Sequence, residues 1–241
     1  MRIAYLIVTV AFLVVAILRM RFKETLRNTV EGNPLTGAIR NFPKSITESI
    51  RALKTASHPM LFLFASFAIY HFAWFMCSLN LIFYATDILN IKEFEWAALL
   101  TWFSVVNILS ALPCGKIIDR FGRKKPLTVA WLLFIPGLIG FIYGNIVITS
   151  ISFLFLGVAL IVANTAYPAL MADFVARDKR GKIIGSTNFF FNILSSLGLL
   201  SGGFMYQYLS PALPFLLSAT LFIPCLILTL FKVHEPTSRE V

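Results

Sequence analysis

The sequence predicts an all-α, polytopic membrane protein with seven transmembrane helices. Three observations predict it. Of 241 residues, 58% are hydrophobic and only 13% are charged, about half the charged fraction of an average soluble domain. The apolar residues gather into seven runs, each close to the roughly 20 residues that cross a hydrocarbon core. Finally, 19 of the 21 Lys and Arg residues fall in alternate segments between those runs, the bias that sets topology in membranes.

The runs are Ile3–Leu18, Met60–Phe83, Trp96–Pro113, Leu127–Tyr143, Ile146–Leu170, Ile183–Tyr206 and Leu213–Phe231. The first is short enough to resemble a signal peptide. Its cations are on the wrong side for one, with Arg2 before it and Arg19, Arg21, Lys23 and Arg27 after it, and no small-residue cleavage site follows. It reads as a true span. Segment 19–58 carries eight basic residues, 114–126 five, 171–182 four and the tail from Lys232 two. The intervening loops hold only Lys92. This pattern predicts an outside N-terminus and a cytoplasmic C-terminus in the plasma membrane.

The net charge of +10 is therefore a topology signal facing anionic headgroups, with no nucleic-acid partner implied. In segment 19–58, "PKSITESIRALKTASHP" places Ile46, Ile50 and Leu53 at helical spacing, the pattern of an amphipathic helix on the membrane surface. Gly32, Pro34 and Gly37 mark a flexible linker before it. Cys77, Cys114 and Cys225 are scattered, without the paired spacing of a disulfide or metal framework. Nothing in the sequence calls for a cofactor.

The most distinctive stretch is "GKIIDRFGRKKPL", residues 115–127, in the basic loop between spans three and four. It packs five cations and one carboxylate into thirteen residues, directly after nineteen uncharged ones. Gly115 allows close approach of helix ends, and Gly122 allows a tight turn. Asp119 suits a helix N-terminus or an Arg. Arg120, Arg123 and Lys124 suit headgroups.

This stretch resembles the signature loop of the major facilitator superfamily, Gly-x-x-x-Asp-Arg-x-Gly-Arg-Lys-x-x-Leu. Gly115, Asp119, Arg120, Gly122, Arg123, Lys124 and Leu127 match it. "ADFVARDKRGKIIGSTN", residues 172–188, resembles the family's later cytoplasmic loop through Asp173, Arg180, Gly181 and Gly185. The closing "FKVHEPTSREV" is similar to the family's Glu-Pro tails.

The resemblance implies that spans two to seven, residues 59–231, form one six-helix carboxy-terminal transporter domain of two inverted three-helix repeats. Residues 1–18 would then be the sixth family helix, belonging to a first domain absent from this sequence. Residues 19–58 would be the central cytoplasmic linker and 232–241 a cytoplasmic tail. The implied activity is transport of a small solute by alternating access, as a symporter or antiporter with a coupling ion. The chain would be truncated or split, with a missing amino-terminal half or self-association supplying the rest.

The resemblance further implies that spans two, three, five and six line the pathway while four and seven face lipid. The polar residues segregate in the same way. Span two carries His71, Trp74 and Asn80, span three Trp102 and Asn107, span five Asn164 and Tyr167, and span six Asn188 and Asn192. Spans four and seven contain no Asn, Gln, His or charge. A polar side chain facing lipid is costly, so these nine face protein, solute or water. Each has a second reading: membrane Asn residues also tie one helix to another, and His71 is either a solute or proton site or a packing histidine.

Two other functions are weighed. A seven-helix receptor or sensor shares the topology, but a retinal protein needs a Lys in its last span and span seven has none. A membrane enzyme lacks residues to run on: there is no HExxH, no Gly-x-Ser-x-Gly and no pair of membrane carboxylates.

Overall fold

The computed structural model describes residues 2–20, 57–175 and 180–234. Among them are seven helices and no strand. The chain divides into two units, residues 1–44 and 45–241. The first contains α1, Arg2–Met20, an apolar helix whose only charges are Arg2 and Arg19. The expected amphipathic helix and linker lie outside the described residues, as does the tail beyond His234.

The second unit holds α2 (His58–Ile88), α3 (Glu93–Phe121), α4 (Lys124–Ile142), α5 (Ile146–Phe174), α6 (Arg180–Tyr208) and α7 (Leu213–Phe231). All six are long and apolar enough to cross a membrane. The last has the boundaries the hydropathy run gave. The others run past theirs at one end or both, because a helix continues on backbone hydrogen bonds after the hydrocarbon ends. Thus α3 passes beyond Pro113 to Phe121, and the expected loop of thirteen residues shrinks to a bend at Gly122–Arg123.

Local chemistry fixes the ends. Glu93 and Glu95 sit in the first turn of α3, where carboxylates favour the positive helix end. The Glu95 carboxylate also accepts the Lys92 N–H at 2.9 Å. Asn145 caps α5 by accepting the N–H groups of Val147 and Ile148, both at 3.1 Å. Gly122 ends α3 with φ 84°, a conformation only glycine adopts cheaply. At the far end of α2 the helix widens into a π turn at Tyr84–Ile88. It stays helical there because Tyr84 and Ala85 are buried and the Tyr84 hydroxyl donates to the Ile142 carbonyl at 3.2 Å.

The packing pattern maps onto itself. Helix α2 packs on α6 and α7, α5 packs on α3 and α4, and α4 packs on α7. Exchanging α2, α3, α4 with α5, α6, α7 returns the same set of pairs. Each repeat has an odd number of helices, so the second starts from the opposite membrane face. This is one six-helix domain of two inverted three-helix repeats.

Small residues bring the helices together. A Cβ added at Gly198 or Gly202 of α6 would run into the backbone of Phe72 or Met76 in α2. One added at Gly157 of α5 would meet Val106 of α3 at 2.8 Å. Gly115 is different: no described atom lies within 4 Å of a Cβ added there. The core is aromatic. Phe134 of α4 stacks on Phe222 of α7 at 4.4 Å, and Trp131 meets Phe67 of α2 at 5.2 Å. Polar bonds join the same helices: Trp131 Nε1 donates to Thr229 at 3.0 Å, and the Ser218 hydroxyl to the Ala73 carbonyl at 2.7 Å. Helix α4 is the most deeply packed of the six and α3 the least. The lipid-facing role expected of α4 is confined to one side of it, through Val129, Leu132 and Ile139.

Candidate functional site

A cavity of about 280 Å³ opens between α2, α5 and α6. Phe67 and His71 come from α2; Asn164, Tyr167, Pro168 and Met171 from α5; Ile184, Thr187, Asn188 and Phe191 from α6. The floor is stacked rings: Phe67 on Tyr167 at 3.7 Å, and His71 on Phe191 at 4.5 Å with 10° between planes. His71 Nδ1 lies 3.2 Å from the Ser195 hydroxyl, which holds the imidazole flat against Phe191. The Tyr167 hydroxyl is buried without a well-formed hydrogen bond, with Thr187 as its polar neighbour. Asn164 and Asn188 are exposed toward the opening. Among the described residues, no Asp, Glu, Lys or Arg lines the cavity.

The arrangement offers amide, hydroxyl and imidazole groups above an aromatic floor, the composition of a site that orients a neutral, partly apolar small molecule. A hydroxyl in a low-dielectric setting is costly unless something bonds it.

The other five sequence candidates do not line this cavity. Trp74 leans on Phe134 in the core. Asn80 donates to the Met76 carbonyl at 3.1 Å, and Asn107 to the Phe103 carbonyl at 2.6 Å, each one turn back along its own helix. Trp102 Nε1 donates across to the Ser150 carbonyl of α5 at 2.9 Å. Asn192 is exposed one turn on from Asn188 and is not among the residues lining the cavity. Phe67, Thr187, Phe191 and Ser195 were missed by sequence reasoning. Helical spacing was the available signal: Phe67 is one turn before His71, and Phe191 and Ser195 follow Asn188 along one stripe.

At the basic end of the domain, the α3–α4 hairpin reaches over two other helices. Arg123 pairs with Asp173 and donates to the Ala169 carbonyl at 2.6 Å near the end of α5. Lys124 donates to the Leu230 carbonyl at 2.8 Å at the end of α7. Both cations sit where helix dipoles are negative. These two therefore serve helix ends rather than the headgroups expected of them. Arg120 stays outside, over the Phe121 ring at 5.5 Å, and Asp119 is exposed. Arg180 Nε donates to the Val175 carbonyl at 3.0 Å, across the connection from α5. Gly181 and Gly185 have open space around them.

Comparison with known proteins agrees with this architecture. The Major Facilitator Superfamily profile matches residues 63–241. The chain is 29% identical over 160 residues to the vacuolar membrane amino acid uptake transporter fnx2 of Schizosaccharomyces pombe, covering 62% of this chain and 27% of the relative. It is 27% identical over 146 residues to the magnetosome protein MamH of Paramagnetospirillum magneticum, covering 55% and 32%. It is 26% identical over 110 residues to the protein YncC of Bacillus subtilis, covering 41% and 23%. The matches thus span a third or less of each relative's length. With the profile covering most of the chain, and six apolar helices packed as two repeats, the chain belongs to the major facilitator superfamily.

Proposed function

We propose that the six-helix unit forms one wall of a pathway that carries a small neutral solute across a membrane by alternating access. The observation that carries this reading is the cavity between α2, α5 and α6, where His71, Asn164 and Asn188 border an aromatic floor. His71, Asn164, Tyr167 and Asn188 are the residues proposed to touch the solute. Alternating access needs a second six-helix unit facing this one, either a separate amino-terminal half or another copy of the chain. The basic hairpin would face the cytoplasm, following the charge bias of the loops.

Neutral amino acids are the first probes, because the relative fnx2 is an amino acid uptake transporter. The test is equilibrium binding of a panel of them to the purified chain in lipid nanodiscs. The reading predicts saturable binding by at least one, weakened about tenfold by Asn188→Leu, the cost of leaving a polar solute group unpaired. Equal affinity in the two proteins would remove Asn188 from the site.

A further inference from the structure

A second cavity, of about 290 Å³, lies away from the first, between the basic halves of α3 and α4 with α5 as its floor. It exists because α3 and α4 each pack along α5 and scarcely touch one another beyond their hairpin. Its walls are apolar throughout: Cys114, Ile117 and Phe121 on α3, Val129 and Leu133 on α4, Val158 beneath. One charged residue lines it, Lys125, at the hairpin end. The three consecutive cations of the hairpin thus divide. Arg123 and Lys124 turn to the ends of α5 and α7, while Lys125 edges the groove. Arg120 does not line the groove; its guanidinium lies 5.5 Å from the ring centre of the neighbouring Phe121.

Length decides what fits. From Lys125 to Leu133 the groove follows eight residues of α4, about 12 Å at the rise of a helix. One leaflet of hydrocarbon is about 15 Å deep. A groove that starts at a cation and runs almost that far between apolar walls matches one acyl chain with an anionic headgroup at its top. A zwitterionic headgroup carries its own cation beside the phosphate, so it attracts Lys125 less than an anionic one does. A soluble ligand would have no polar wall to orient it.

We propose that the α3–α4–α5 groove is a binding site for one molecule of an anionic phospholipid, its phosphate on Lys125 and one acyl chain along Val129, Leu133 and Val158. The long stem of Lys125 covers apolar surface while its ammonium stays at headgroup level. The site is distinct from the cavity proposed for solute, and holds whether or not that reading does.

The test is native mass spectrometry of the full chain released from detergent containing equal phosphatidylglycerol and phosphatidylcholine with the same acyl chains. The wild type is expected to retain one phosphatidylglycerol in preference to phosphatidylcholine. Lys125→Gln, an exposed substitution that leaves the fold intact, is expected to lower that preference roughly fivefold, the worth of one basic residue at an anionic surface. Val129→Trp fills the groove and is expected to reduce retention of both lipids, whereas Val147→Trp, near the other end of α5, leaves retention unchanged. Phosphatidylglycerol preference unaltered by Lys125→Gln would overturn the headgroup assignment. Retention unaltered by Val129→Trp would overturn the acyl-chain site.

Discussion

At the scale of single residues, the two most informative side chains are Tyr167 and Arg123. The Tyr167 ring is stacked and buried, yet its hydroxyl has no well-formed hydrogen bond. Removing such a hydroxyl relieves an unmet desolvation cost, so Tyr167→Phe is predicted to leave thermal stability in detergent unchanged or raised. If the hydroxyl serves the solute, the same change weakens binding by roughly 0.5–1.5 kcal/mol, up to about tenfold. Lower stability with unchanged binding would make Tyr167 a packing residue. Arg123 is the opposite case, a half-buried guanidinium holding a carboxylate and a carbonyl together. Arg123→Ala is predicted to cost about 1–2 kcal/mol after allowance for solvent screening. Arg123→Lys should recover only part of this, because a point charge cannot serve both acceptors as a fork does. Melting curves of the two variants decide it.

The residue scale also shows where sequence reading stops. Asn80, Asn107, Asn164 and Asn188 look alike as letters in apolar runs. Asn80 and Asn107 turn back to their own helix one turn earlier, whereas Asn164 and Asn188 open into the cavity. That choice depends on which face each neighbouring helix covers, which periodicity within one run does not contain. Ser195, the partner of His71, is 124 residues away in the chain and is positioned only by the contact of α2 with α6.

At the scale of elements, hydropathy located every described span in the second unit, and it set both ends of α7. It misplaced the basic ends of α3 and α5 because charge stops a hydropathy run without stopping a helix. The π turn at Tyr84–Ile88 had no sequence signal, and the bond from Tyr84 to Ile142 that accompanies it joins residues 58 apart in the chain. The contact of α2 with α6 gives a sharp prediction from two adjacent glycines. Gly202 has no room for a Cβ against Met76, while Gly203 has nothing within 4 Å. Gly202→Ala is predicted to destabilise by roughly 1–3 kcal/mol through overpacking. Gly203→Ala should be neutral or slightly stabilising, given the low helix propensity of glycine. Equal melting temperatures for the two variants would contradict the packing of α6 on α2.

At the scale of the whole molecule, the two repeats meet at both ends of the domain. The basic hairpin ties the first repeat to the ends of α5 and α7, in the second. The proposed orientation places this hairpin in the cytoplasm. In intact cells, Tyr143→Cys at the opposite end of α4 is then predicted to react with an impermeant maleimide, and Arg120→Cys only after permeabilisation. Labelling in the reverse order would invert the topology. Background is low because Cys77, Cys114 and Cys225 are all buried.

The central claim is that the space between α2, α5 and α6 is an aqueous, solute-accessible pathway and not a gap filled by lipid or packing. The most direct measurement is the rate at which Asn188→Cys reacts with an impermeant maleimide in membranes open on the basic side, with Ile108→Cys, an exposed apolar position on α3, as the reference outside this cavity. The account predicts rapid labelling at position 188, slowed by a bound solute, and little at 108. No reaction at 188 under conditions that label Arg120→Cys would contradict it.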